Sequence, residues 1–137
     1  MSRDFLDTNI LVYADDLDAG ERRDVARRIV RQAIETRGAV LSTQVLQEYF
    51  VVATRKLGVN VVAARRKVEL LSTLETVRIE TAMILEAIDL TRLHSISFWD
   101  ALIVRAAATA GCRQLITEDL QHGSKVGGVT IVNPFPN

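Results

Sequence analysis

The amino-acid sequence predicts an α/β fold, with a mainly parallel sheet covered by helices on both faces. Two observations carry that expectation. Short β-rich runs alternate with longer segments of helical periodicity along the chain, and such alternation builds parallel strands joined by crossover helices. The 137 residues are 48% hydrophobic and 25% charged, the mixture of one ordinary globular domain. A chain of that length hides roughly 68% of its unfolded surface, so its core needs no staples. One domain over residues 1–137 is expected.

The elements follow in order. Asp4-Phe5-Leu6 reads as a brief strand ending at Asp7, and Asn9-Ile10-Leu11-Val12 suggests a short helix after it. Over residues 18–36, Val25, Ala26, Ile29, Val30, Ala33 and Ile34 recur at helical spacing. Asp18 and Glu21 form a capping pair at its start, and Gly38 ends it. Ala39-Val40-Leu41 is a second strand. Residues 43–56 are helical, with Val45, Leu46, Tyr49, Phe50 and Ala53 as the apolar stripe and Gly58 as the breaker. Asn60 caps a further helix to about residue 73, and residues 76–79 alternate like a strand. Residues 81–94 and 97–110 are the last two long helices, the second closed by Gly111. Leu115-Ile116-Thr117 and Val129-Thr130-Ile131-Val132 are the final strands, with Pro134 stopping the latter. The polar, glycine-rich stretch 121–128 lacks Walker A spacing and precedes a strand where that motif should follow one, so it reads as a solvated turn.

The charges balance, 17 basic against 17 acidic, which excludes a general polyanion-coating protein but leaves room for a local nucleic-acid site. Of the basic residues 14 are Arg, the better phosphate fork. Cys112 is the only cysteine, so a disulfide framework is excluded and the thiol reads as a small apolar filler. No apolar run approaches the roughly 20 residues that span a bilayer, so no membrane partner is expected. The start Met1-Ser2-Arg3-Asp4 shows no signal peptide, and a reducing cytoplasm is the expected compartment.

Four carboxylates need explaining. In open α/β sheets, ligands bind beyond the carboxyl ends of the strands. Asp7 stands at such an end, and Asp119 stands just past another in Ile116-Thr117-Glu118-Asp119. Asp7 can also be read as the cap of the short helix, and Asp119 as a turn former. Asp100 is followed three, four and seven residues on by Ile103, Val104 and Ala107, so it projects from the apolar side of its helix. A capping box, Ser97-Phe98-Trp99-Asp100, accounts for its position but does not compensate a carboxylate directed into a core. Glu48 sits inside a helix at the edge of its apolar stripe, where a solvated boundary residue is the alternative.

Two of these acids lie at strand ends and two in the first turns of helices that could start at the same edge. If they converge, like charges about 4 Å apart repel by roughly 4 kcal/mol per pair at an effective dielectric near 20. Such a cluster persists only by protonation or by binding a cation. An all-oxygen site suits Mg²⁺ or Mn²⁺. Neither a second Cys nor an HExxH helix exists to suggest zinc, and His94 and His122 read as surface residues.

Phe5-Leu6-Asp7-Thr8-Asn9, Gln47-Glu48-Tyr49, Trp99-Asp100-Ala101-Leu102-Ile103 and Leu115-Ile116-Thr117-Glu118-Asp119 resemble, in order, the four acidic motifs of PIN domains. Within that family the chain is most similar to the VapC-type ribonuclease toxins of bacterial toxin–antitoxin pairs, and the likeness runs over nearly the whole sequence. The resemblance implies a three-layer α/β/α sandwich and a Mg²⁺-dependent endoribonuclease in which Mn²⁺ can substitute. It further implies RNA as substrate, a small cognate antitoxin as inhibitor and a homodimer. Carried over by position, Asp7, Asp100 and Asp119 would bind metal, Glu48 would complete the catalytic pocket directly or through water, and Thr117 would hydrogen-bond within it. Glu118 departs from the pattern, since many relatives carry Asn there. Arg22, Arg23, Arg27 and Arg28 are candidates for phosphate contacts, with a solvated helix face as their alternative.

Two rival readings differ in class. A receiver-like Mg²⁺-binding signalling module would want an acceptor Asp at the end of its central strand and a Lys after a later strand. Here the third strand ends Arg78-Ile79-Glu80, and no Lys follows residues 115–117. A catalytically inactive PIN domain serving as a partner-binding module is the other, and the presence of all four acids counts against it.

Overall fold

Each strand that carries the site is buried on both faces, as a parallel sheet under two helical layers requires. The computed structural model describes residues 3–136; Met1 and Ser2, part of the N-terminal segment read above, and Asn137 lie outside them. In chain order the elements are β1 (Asp4–Leu6), α1 (Thr8–Asp15), α2 (Glu21–Thr36), β2 (Ala39–Ser42), α3 (Thr43–Arg55), α4 (Val61–Leu71), β3 (Glu75–Val77), α5 (Thr81–Leu93), α6 (Phe98–Thr109), β4 (Gln114–Ile116), β5 (Lys125–Val126) and β6 (Val129–Val132). They form one six-stranded sheet in the order β3-β2-β1-β4-β6-β5. All pairings are parallel except the β5–β6 hairpin.

β1 is central, and the chain leaves it toward β2 and β3 on one side before returning to β4 on the other. The crevice at the carboxyl ends of β1 and β4 is therefore the switch point where such sheets bind ligands. Register fixes the residues there. Phe5 lies opposite Val40 and Leu115, and Leu6 opposite Ile116, so Asp7 and Thr117 leave the sheet side by side. Asp7 N donates to Ile116 O at 3.0 Å, and Thr117 N to Val132 O at 3.0 Å.

Right-handed crossovers put α1–α4 on one face and α5–α6 on the other. The packing follows the same division: α1 lies against α2 and α3, α3 against α4, and α5 against α6, which in turn covers β2, β4 and β6. Phe5, Val40, Leu41, Leu115 and Ile131 are completely buried between these layers. Among the described residues, no helix is long and apolar enough to cross a membrane.

Several local expectations are corrected. Helix α2 starts at Glu21 behind Gly20, whose φ is 61°, and no side chain caps it. Asp18 forms no capping box with Glu21, because the Asp16 carboxylate takes the Asp18 N–H at 3.0 Å and closes a turn of its own. The left-handed residue that ends α2 is Arg37, with φ 53°, rather than Gly38. Strand β3 stops at Val77, and Ile79 N instead donates to Thr43 Oγ1 at 3.2 Å. The stretch 121–128 is not wholly a solvated turn. Gly127 and Gly128, at φ 56° and 85°, form the two positive-φ positions of a tight hairpin turn, which pairs Val126 with Val129. By contrast, Asn60 caps α4 through a bond from Val62 N at 2.8 Å, as its side chain predicts.

Candidate metal centre

Asp7 enters the site by being the first residue past β1. Its extended backbone makes it the N-cap of α1, where its carboxylate accepts from Thr8 N at 2.6 Å. The other oxygen accepts from Thr117 Oγ1 at 2.7 Å. The side chain is only 5% exposed, and burial pushes its pKa up to about 7, helped by the charges of Asp119 and Asp100 and opposed by the bonds from Thr117 and Thr8. The capping reading therefore holds, but it accounts for less than the whole position: an uncharged cap would be cheaper here.

Asp100 sits in the first turn of α6. Ser97 is the N-cap and accepts from Asp100 N at 3.0 Å. The carboxylate does not point into the core, as the apolar stripe suggests, but is half-buried at the wall of a pocket. The reason is positional: the first turn of α6 reaches past the sheet edge, while Val104 and Ala107, further along, are fully covered. Burial raises the Asp100 pKa, and the charges of Asp119 and Glu48 add to it against the Ser97 bond.

Asp119 lies in the exposed turn after β4. Its N–H donates to Thr117 Oγ1 at 3.0 Å, and Asn9 Nδ2 donates to the same oxygen at 3.3 Å. Thr117, completely buried, is thus the hub that joins the Asp7 carboxylate to the Asp119 backbone. Asp7, Asp100 and Asp119 each place one carboxylate oxygen within 4.8 Å of the other two.

Glu48 lines the same pocket but stands outside that trio. It lies in the second turn of α3, not the first, because α3 starts at Thr43 behind the Ser42 cap. Its oxygens accept from Thr8 Oγ1 at 2.7 Å and from Gln44 Nε2 at 3.3 Å. Thr8, Asn9 and Gln44 are positioning residues that the sequence reading did not single out. The signal for the first two was their place directly after Asp7, where their side chains emerge at the same edge.

Glu118 does not add bare charge to the site. It accepts from Tyr13 Oη at 2.6 Å and from Arg22 Nε at 2.5 Å. Burial would raise its pKa, but these bonds and the Arg22 charge outweigh it and hold the carboxyl low. Arg22 is thereby committed, its guanidinium also lying 5.9 Å from the Tyr13 ring centre and 5.7 Å from that of Phe135. Arg22, Arg23, Arg27 and Arg28 do not line the acidic pocket, where Lys56 is the cation among the described residues. Of that arginine cluster, Arg22 is turned to Glu118 beside the site, and Arg27 lies near Asp15 and Lys67 at a separate hollow.

The pocket measures about 630 Å³, inside the range of small-molecule sites. Its floor is the acidic trio, and its walls are α1, α3 and α6. Three hard oxygen donors in mutual reach suit a divalent cation such as Mg²⁺ or Mn²⁺ better than zinc.

Comparison with known proteins gives a consistent picture. The family model of the PIN domain matches residues 5–126. Among curated proteins no significant match was found. A toxin–antitoxin complex from Klebsiella pneumoniae aligns at 25% identity over 96% of this chain and 97% of that one, with a TM-score of 0.68. VapC20 of Mycobacterium tuberculosis, a toxin that cleaves the sarcin–ricin loop, aligns at 22% identity over 82% and 86%, with a TM-score of 0.67. VapBC2 from Rickettsia felis, solved with a DNA fragment from its promoter, aligns at 21% identity over 93% and 96%, with a TM-score of 0.64.

Proposed function

This chain belongs to the PIN-domain family, and from that premise we propose that it is a Mg²⁺-dependent endoribonuclease, the toxin of a toxin–antitoxin pair. The observation that carries the reading is the meeting of Asp7, Asp100 and Asp119 oxygens within 4.8 Å at the sheet's switch point. The donor set fits a divalent ion by its chemistry: three carboxylates, one buried and held against its own charge, with no cationic side chain among the described residues hydrogen-bonded to them. Asp7, Asp100 and Asp119 would hold the ion.

The bound ion would supply Lewis-acid activation of the attacking water and neutralise charge on the phosphoryl oxygens. The chain's own residues do the rest. Thr117 fixes the Asp7 carboxylate and the Asp119 backbone through one oxygen. Thr8 and Gln44 hold the Glu48 carboxylate at the pocket wall, where it orders water beside the trio. Without a cation the acids repel a polyanion, so substrate binding and ion binding are coupled. Lys56, at the pocket's rim, supplies a positive group for a backbone phosphate.

RNA as substrate is supported by the sarcin–ricin loop cleavage of the VapC20 neighbour. An antitoxin partner is supported by the neighbour complexes; a homodimer and a cytoplasmic setting complete the reading. The family membership removes the receiver-like alternative. The test is to sequence RNA ends after incubating purified protein with Mg²⁺, alongside Asp7→Asn and Asp100→Asn. Discrete new ends, lost with chelator and in both variants, are expected. Cleavage by either variant at the wild-type rate overturns the assignment.

A further inference from the structure

Next to the acids, the pocket has a second, apolar wall. Val12 on α1, Val51 and Val52 on α3, and Trp99 and Ile103 on α6 all line it. Trp99 is the chain's single tryptophan and is 60% exposed. A large aromatic at a pocket mouth leaves apolar area in water that only a ligand or partner removes.

Its position is held from several sides. Phe98 packs against it edge to face, with ring centres 5.2 Å apart and planes at 75°. Its carbonyl oxygen accepts from Gln44 Nε2 at 3.2 Å, and the same amide nitrogen reaches Glu48 Oε2 at 3.3 Å. Gln44 is 5% exposed, so a buried side chain ties the Trp99 backbone to the acidic wall. Asp100, of the trio, is the next residue. The Trp99 backbone is therefore tied beside Asp100 and Glu48 and its ring packs on Phe98, in a pocket that Lys56 also lines.

We propose that Trp99 is a stacking platform for one unpaired base of the RNA, positioned beside the phosphate that faces the acidic trio. The proposal rests on the ribonuclease reading above and deepens it. The chemistry favours a base over an apolar peptide because the apolar wall shares one cavity with a lysine and five carboxylates, three of which would hold the divalent ion that an anionic backbone needs. A nucleotide presents a π-face and an anionic backbone together, and can meet both walls. Only single-stranded or looped-out nucleotides expose that face, so the platform selects for unpaired RNA. Stacking on an aromatic is tolerant of base identity, so Trp99 sets accessibility rather than sequence.

The lone tryptophan makes the test direct. Wild-type protein is titrated with a short single-stranded oligoribonucleotide in Ca²⁺, with RNA integrity checked on a gel, and Trp99 fluorescence is followed. Quenching is expected. Replacing each base in turn by an abasic residue should weaken binding at one position. Trp99→Ala should weaken binding of the intact oligonucleotide roughly 5- to 150-fold, the loss of one base–aromatic stack, and should add nothing to the abasic loss. Trp99→Phe should restore most of it. KM should rise in Trp99→Ala while kcat at saturating RNA stays near wild type. Equal binding by wild type and Trp99→Ala, or no sensitive abasic position, overturns the proposal. So does a Trp99 emission that changes only with protein concentration, which assigns the ring to a protein contact. If quenching and abasic sensitivity hold but Mg²⁺ yields no cleavage, the ribonuclease reading fails and the platform stands. Cleavage with a silent Trp99 gives the reverse.

Discussion

Asp7→Asn should make the metal-free protein more stable at pH 8, even as it removes a residue from the centre of the site. Burial pushes the native carboxyl up to about 7 from an ordinary value of 3.8. Three pKa steps at about 1.36 kcal/mol each put the ceiling near 4 kcal/mol. The sign follows from proton counts. Below pH 4 the carboxyl is protonated in both folded and unfolded chains and costs nothing extra. Between about 4 and 7 the folded state keeps a proton that the unfolded state has lost, so stability falls as pH rises. Above about 7 the full cost is present.

The amide escapes that cost but loses something. Its oxygen can still accept from Thr8 N, while its NH₂ meets Thr117 Oγ1, which already accepts from Asn9 and Asp119. The Thr117 hydroxyl must then find another acceptor, a loss of about 1 kcal/mol. A net gain of about 1–3 kcal/mol at pH 8 follows. Urea denaturation in chelator, at pH 8 and at pH 4, reads it: the gap between variant and wild type should close toward pH 4. Mg²⁺ at a hundred times its dissociation constant should stabilise wild type by about 2.7 kcal/mol and the variant far less, narrowing or inverting the order. A variant less stable than wild type at pH 8, or a gap indifferent to pH, would refute the idea that Asp7 is held against its charge.

Thr117→Val removes the donor to Asp7 and the acceptor shared by Asn9 and Asp119 at nearly constant volume. It should destabilise by about 1–3 kcal/mol in the same denaturation assay, and RNA cleavage should fall although no carboxylate is touched; unchanged cleavage would deny Thr117 its positioning role. Arg37 ends α2 at φ 53°, so Arg37→Gly should stabilise by up to about 1 kcal/mol, seen as a rise in Tm. A fall would mean that the Arg37 bond to Thr73 O outweighs the backbone strain.

How much of this was legible in the sequence depends on the range of the physics involved. The strands β1, β2 and β6 and the helices α3 to α6 follow from apolar periodicity and from caps within a few residues, such as Ser97 and Asn60. Sequence alone misplaces the start of α2, because Asp16, not Asp18, closes the preceding turn, a choice made by backbone geometry. β5 is invisible to periodicity because it is two residues long; only the glycine pair marks the hairpin. The site divides in the same way. Asp7 and Asp119 could be placed at strand ends by topology alone. That Thr117 joins them, that Gln44 ties α3 to α6, and that Arg22 turns to Glu118 are contacts between residues 55 to 110 positions apart, set by how the layers close.

What separates the acids of the trio from the chain's other aspartates is the cost of the alternatives. Asp16, half-buried beside the same pocket but outside the trio, spends its carboxylate on the Asp18 N–H and closes a turn, so folding alone accounts for it. At Asp7 the same capping bond could be made by Ser, Thr or Asn without burying a charge. At Asp100 the forward half of the cap, Ser97 to the Asp100 N–H, needs no acidic side chain at all. Folding alone therefore disfavours ionised carboxylates at both places, and their mutual approach within 4.8 Å raises the cost further. The conflict disappears once a divalent cation shares their charge, which makes the trio a place where the fold gives up stability that ion binding returns.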